Sequence, residues 1–174
     1  MIFHIIYFFV FISSGIAAKF QKDVFVHYMP WFETPDFQGY WGWHWKMNSK
    51  NPDIILPNGQ REIASHYYPL IGPYASNDPD VLEYHFLLMK ASGITGIILN
   101  WYGIAGSNGD IQSLLTNSNA IIAALEKTDL KFAIMMEDRF ARSIEDARRN
   151  VEYIQMNYFS KSCYARHVQI SYNL

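Results

Sequence analysis

Residues 94–100 read ITGIILN, a run of apolar side chains with almost no polar interruption. A strand that buries one face alternates apolar and polar residues. A near-continuous run is how a strand covered on both faces reads, as in a parallel sheet. Upstream, Asp78 can cap a helix and Pro79 suits its first position. Val81, Leu82, His85, Leu88 and Met89 then recur at helical spacing until Gly93 stops the helix. Downstream, a Gly/Ser/Asn loop leads to a second helix around residues 119–127, and residues 130–136, LKFAIMM, form another buried strand. Ser143 with Asp146 makes an approximate capping box, Asp replacing the usual Glu, for a third helix. Its expected apolar face is Ile144, Ala147, Val151, Ile154 and Tyr158.

Working back toward the N-terminus, residues 24–28 are a short apolar strand ended by Pro30. Residues 30–77 follow as a long connection rich in Pro, Gly, Asn and aromatics. A connection of that length is functional or disordered, and its aromatic content argues against disorder. The order is strand, long loop, helix, strand, helix, strand, helix. Such alternation predicts an α/β fold of parallel strands joined by right-handed crossovers. No internal repeat or low-complexity segment breaks it.

The chain has 174 residues, half of them hydrophobic, and a formal charge of -2. That predicts one globular domain with a sizeable core, and no electrostatic footprint for nucleic acid or an anionic membrane. Aromatics reach 17%, and four of the five tryptophans fall within residues 25–45, FVHYMPWFETPDFQGYWGWHW. Two readings stay open from composition: a large aromatic core, or a stacking surface for a flat or sugar-like ligand. At the N-terminus an apolar run from Ile5 to Ile12 precedes small residues, with Gly15 and Ala17 spaced as a cleavage site requires. The run is short for a bilayer span, so residues 1–18 are expected to be a signal peptide, with an uncleaved signal anchor as the alternative. The expected location is the secretory-pathway lumen or outside the cell, with no membrane association after cleavage. Cys163 is the only cysteine, so no internal disulfide is expected.

Ligands of parallel α/β proteins bind at the C-terminal ends of the strands. The first strand ends in His27-Tyr28 and runs into Trp31; the second ends in Asn100-Trp101-Tyr102-Gly103; the third ends in Glu137-Asp138-Arg139. Aromatic faces stack on the C–H faces of sugars, while carboxylates and amides bind their hydroxyls, so this combination points to a carbohydrate site. Each residue also has a structural reading. Tyr28 and Trp101 can be rim packing, and Arg139 can pair with Glu137, whose carboxylate is costly after an apolar strand unless exposed or paired. His27, His44, His66 and Glu137 are the candidate metal ligands, but they show no HxH or HExxH spacing. Cys163 has no strand-end setting for a nucleophile, and no GxGxxG or phosphate loop is present, so neither metal nor cofactor is expected.

The segments HYMPWF, WGWHW, IASHYYPLIGPYASNDPDVLEYH, GITGIILNWYG and LKFAIMMEDR occur in this order. Together they resemble the N-terminal part of the glycoside hydrolase family 71/99-like proteins, the group that includes endo-α-mannosidases. The resemblance covers roughly residues 24–165, and residues 65–80 are its most specific part. It implies a (β/α)8 TIM barrel, with about the first three βα units present, and an oligosaccharide or polysaccharide as ligand. Known members cleave internal α-mannosidic linkages with retention, through a 1,2-anhydro sugar. By position, the resemblance makes Tyr28, His44, Trp45, Trp101 and Glu137 glycan-subsite residues, to which the strand-end reading adds Trp31 and Tyr102.

Retaining chemistry of this type needs two carboxylates, one assisting the neighbouring hydroxyl and one protonating the leaving group. The family supplies them as a Glu-x-x-Glu pair from later in the barrel, and this sequence has no Glu-x-x-Glu. No catalytic residue is therefore assigned. The final HVQISYNL also lacks a Gly-Lys-Pro lead-in, and a full barrel needs about 250 residues. The expectation is a signal peptide followed, over residues 19–174, by the N-terminal portion of a barrel, from a truncated gene model or a degenerate copy. With open sheet edges it is expected to aggregate or stay molten, without glycosidase activity. Two other readings remain: a non-catalytic secreted glycan-binding module and a metal-dependent barrel hydrolase.

Overall fold

The computed structural model describes residues 22–104, 106 and 109–166. The expected signal peptide and the closing HVQISYNL lie outside the described residues. The run at 94–100 becomes the central strand β2, Gly96–Trp101, flanked by β1, Phe25–Tyr28, and β3, Lys131–Met136. The sheet order is β1-β2-β3 and both pairings are parallel, with Phe25 opposite Gly96 and Gly96 opposite Lys131. Glycine is required at 96. A Cβ there would lie 2.5 Å from both the Phe25 ring and the Lys131 carbonyl oxygen.

Residues 30–77 contain two short helices, α1, Pro35–Gln38, and α2, Trp43–Lys46, that periodicity does not reveal. The connection is ordered by its own contacts. Ser76 donates its N–H to the Phe32 carbonyl at 2.8 Å, and Ala64 donates its N–H to the Trp45 carbonyl at 2.8 Å. Then α3, Pro79–Ala91, starts as expected: the Asp78 carboxylate accepts from the Asp80 and Val81 amides, and Gly93 past its end takes φ +75°.

The next helix, α4, spans Ile111–Leu125, starting well before residue 119. Its first turns carry Ile111, Leu114 and Leu115 at helical spacing, interleaved with Gln, Ser, Thr and Asn. Two of these polar residues, Asn117 and Ser118, are buried because their side chains bond the Pro30 and Leu114 carbonyls at 2.8 and 2.7 Å. The last helix, α5, Ile144–Asn157, begins on Ser143, whose hydroxyl accepts from the Asp146 amide at 3.1 Å. Its buried face is turned from the expected one. Ile144 is 91% exposed and Val151 is exposed, whereas Asp146, Asn150 and Ile154 are buried. Two hydrogen bonds explain the turn: the Asp146 carboxylate accepts from the Arg142 amide at 3.1 Å, and the Asn150 carbonyl oxygen accepts from the Ile104 amide at 2.8 Å.

The core lies on one face of the sheet. Ile97, Leu99 and Trp101 of β2 and Phe132 of β3 meet Leu82 and Phe86 of α3, Ile121, Ile122 and Leu125 of α4, and Ile154 of α5, with Tyr158 just beyond α5. Full burial of such side chains contributes roughly 1.5–3 kcal/mol each. Val26 and Tyr28 of β1 join the same cluster. Strand alternation therefore sends His27, Ile98, Asn100 and Met135 to the opposite face. Beyond α5, Tyr164 bridges Phe132 in parallel, with the Ala165 amide donating to the Phe132 carbonyl at 2.7 Å. Among the described residues no helix is long and apolar enough to cross a membrane.

Candidate functional site

The first wall of the site is built on α2. Its N-cap, Gly42, lies so close to Glu33 that a Cβ would sit 2.7 Å from Glu33 Oε2. Glu33 is buried; its carboxylate accepts from the Tyr40 hydroxyl at 3.1 Å and from the Ser113 hydroxyl, fastening the loop to α4. From that anchored turn the two neighbours His44 and Trp45 part ways. Trp45 is 1% exposed, stacks on Phe32 at 4.2 Å and donates its indole N–H to the Tyr74 carbonyl at 3.1 Å. His44 instead stacks on Trp31, with ring centroids 4.0 Å apart, and meets Trp43 edge-on at 4.9 Å.

The second wall comes from the end of β2. Asn100 is 2% exposed, and its amide N–H donates to the Tyr102 hydroxyl at 3.1 Å. The Tyr102 ring lies against Phe140, which closes the short 3-10 helix Asp138–Phe140 after β3. Between these walls is a cavity of 380 Å³ lined by Trp43, His44, Tyr102, Asp110, Leu114 and Phe140.

Three buried polar atoms in this neighbourhood have no hydrogen-bond partner among the described residues: His44 Nδ1, Asn100 Oδ1 and Asp110 Oδ1. A buried polar group left unpaired costs about 1–3 kcal/mol. The amide and carboxylate oxygens only accept, so the missing partners are donors, such as hydroxyl groups. Burial holds the His44 imidazole below its ordinary range, with the Asp110 carboxylate acting weakly in the opposite sense. Burial pushes the Tyr102 phenol up, and the Glu137 and Asp110 carboxylates add to the shift.

The other expected residues fall in different places. Glu137 is half-buried, donates its backbone N–H to the Trp101 carbonyl at 2.8 Å and stands within electrostatic reach of Tyr102. Among the described residues it has no ion pair; Arg139 lies over the Phe140 ring instead, 5.0 Å from its centroid. Tyr28 faces the helices and shares a 2.8 Å hydrogen bond with His85 Nδ1 on α3. Trp101 is fully buried, stacks on Tyr153 at 5.9 Å and donates its indole N–H to the Tyr158 hydroxyl at 3.2 Å. Tyr28 and Trp101 thus have the parity of the core face, and neither lines the cavity beside His44. Trp45 is likewise turned away from the cavity that His44 lines.

The candidate metal ligands are not gathered. His27 and His66 are exposed, and no three His, Cys, Asp or Glu side chains come together among the described residues. Cys163 is buried, and burial pushes its thiol up. Sequence reasoning missed Asp110, Glu33 and Phe140. Asp110 has a signal in hindsight, since it directly precedes α4, whose Ile111, Leu114 and Leu115 recur at helical spacing.

The model of glycosyl hydrolase family 99 matches residues 19–170. A "Glycoprotein endo-alpha-1,2-mannosidase-like protein" of Danio rerio is 29% identical over 172 residues, which cover 90% of this chain and 37% of that protein. A "Glycoprotein endo-alpha-1,2-mannosidase" of Rattus norvegicus is 30% identical over 158 residues, covering 83% and 34% respectively. The chain spans about a third of the length of the curated relatives it matches. Among solved structures, a GH99 endo-alpha-mannosidase from a Bacteroides species superposes with a TM-score of 0.63 at 23% identity, covering 83% of this chain and 38% of that one. The parallel three-stranded sheet and its helices match the N-terminal part of that TIM barrel.

Proposed function

Since this chain belongs to glycosyl hydrolase family 99, we propose that it is a carbohydrate-active protein of the retaining, endo-acting, α-mannosidase-like type, whose described part binds one sugar of an oligosaccharide. The observation that carries this reading is the 380 Å³ cavity beyond the end of β2. There, the His44 and Asp110 side chains stand among the rings of Trp43, Tyr102 and Phe140. A pyranose matches both halves of that wall. Its hydroxyls can hydrogen-bond the His44 imidazole and the Asp110 carboxylate, and its C–H face suits an aromatic ring. Trp31 supports the site from behind His44, holding the imidazole by stacking. Glu137 contributes a carboxylate beside Tyr102, within reach of a ligand hydroxyl.

Hydrolysis is a separate matter. The cleavage needs one carboxylate to assist the neighbouring hydroxyl and another to protonate the leaving oxygen. These 174 residues carry no Glu-x-x-Glu pair, so we assign them binding without turnover. The same observation favours the second reading, a non-catalytic glycan-binding module. Entry to the secretory pathway through residues 1–18 belongs to this proposal, as does the absence of any role for metal, cofactor or nucleic acid.

The test is calorimetry of the full chain with an α-linked mannose oligosaccharide, alongside an assay for release of reducing sugar. Binding that His44→Ala and Asp110→Ala each weaken by about tenfold supports the assignment. An absence of binding at millimolar ligand refutes it, and turnover refutes the assignment of binding alone.

A further inference from the structure

We propose that the groove between α3 and α4 is a self-association surface, occupied by the same groove of a second copy of this chain across a two-fold axis. The groove is a cavity of 360 Å³ walled by one side of α3 and the end of α4, and it shares no residue with the cavity beside His44. Phe86, which is buried, is part of its lining; Leu87 lines it too, yet stays 60% exposed. Tyr84 and Leu88 of the same helix are also exposed. Thus α3 turns apolar side chains outward as well as into the core, the mark of a helix face that something covers.

What covers it follows from the charge along the groove. Asp80, Glu83, Leu87 and Lys90 succeed one another at helical spacing on one stripe of α3. At a rise of about 1.5 Å per residue, Glu83 lies about 6 Å from Leu87 toward the N-terminus, and Lys90 about 4.5 Å toward the C-terminus. Both helices connect parallel strands and so run in the same direction, which puts Lys127, just past α4, at the Lys90 end. The Asp80 and Glu83 carboxylates and the Lys127 ammonium have no ion pair among the described residues, and Lys90 pairs with Asp129, itself highly exposed. The groove therefore has an acidic half, an apolar middle and a basic half. A two-fold axis beside Leu87 runs α3 of the second copy in the opposite direction. Each acidic half then meets a basic half, and the two leucines meet between them. A parallel pairing would set like charges together at both ends, so the same stripe selects against it.

The experiment is sedimentation velocity of the full chain between roughly 1 and 200 µM, where mass action shifts a monomer toward a dimer. Glu83→Lys, Leu87→Lys and Lys127→Glu are each expected to raise the dimer dissociation constant about tenfold. The double variant Glu83→Lys/Lys127→Glu exchanges the charges of the two halves and is expected to recover most of the lost affinity. A parent that stays monomeric throughout overturns the proposal, as does an assembly that all three single variants leave unchanged. Association through the open edges of the sheet belongs to that second outcome, because it does not involve the groove. Single variants that weaken the dimer without rescue by the double variant overturn the two-fold pairing. All three positions are exposed, so thermal melts of the variants are expected to match the parent, which excludes a folding defect as the cause of a lost dimer.

Discussion

Trp101 and Tyr102 are adjacent, as are His44 and Trp45, yet within each pair the two rings serve opposite sides of the molecule. On the core side, polar handles are satisfied: the Trp101 indole reaches Tyr158, whose hydroxyl donates to Asn119 at 2.8 Å, and the Trp45 indole reaches Tyr74. On the cavity side, His44, Asn100 and Asp110 each keep a buried atom without a partner. Aromatic content alone says nothing about which role a ring has. Whether its polar atoms, and those beside it, are already bonded within the protein separates a structural ring from one that waits for a ligand.

That contrast can be broken by substitution. Trp101→Ala should be the most damaging change, costing about 3–5 kcal/mol as the β2–α5 contact opens a cavity; chemical denaturation followed by fluorescence measures it. A loss under 1 kcal/mol would mean Trp101 is not a core residue. Trp45→Phe removes the Tyr74 bond and some contact area, with an expected cost of about 1–2 kcal/mol, whereas His44→Ala should leave the denaturation midpoint almost unmoved and abolish most sugar binding. Equal destabilisation by the two would erase the distinction between these neighbours. Tyr102→Phe deletes only the hydroxyl that accepts from Asn100 and is expected to cost about 1 kcal/mol, readable as a small shift in thermal midpoint.

The gentlest probe is pH. Burial lowers the pKa of both His44 and His85 from 6.5. Above that value the histidines are neutral folded and unfolded, and their contribution to stability is fully present. As pH falls through 6.5 the unfolded chain takes up protons first, so stability declines toward the lower folded values. Urea midpoints at pH 7.5 and 5.5 should show the decline, and His85→Phe should flatten part of it. A slope unchanged in that variant would assign the pH response elsewhere.

How much of this was legible depended on whether a residue's role is written in local pattern. The three strands and α3 were, because unbroken apolar runs and the Asp78-Pro79 start are local signals. The burial of Asn117 in α4 and the buried face of α5 were not, because Asn117, Asp146 and Asn150 are buried by bonds to the Pro30 carbonyl and to the Arg142 and Ile104 amides. No periodicity encodes such partners. In the site, Tyr102 is named by its place after β2 and His44 by the resemblance alone; Trp31 stacks on His44 and Glu137 lies near Tyr102. Tyr28 and Trp101 share the core parity of Val26 and Leu99, two residues before each, a relation that alternation along the strand carries. Asp110 belongs to no motif, and only the fold brings it to the cavity beside His44.

The long connection between β1 and β2 has a kinetic consequence. Val24 and Thr95, which bond at the start of that pairing, are separated by 71 positions, far more than separate β2 from β3. Closing the longer loop costs more chain entropy, and non-local pairing slows folding. The β2–α4–β3 unit is therefore expected to assemble first, with β1 docking late. Until it docks, the tryptophans between Trp31 and Trp45 remain in solvent, so the slowest step of folding should be the one that their fluorescence reports.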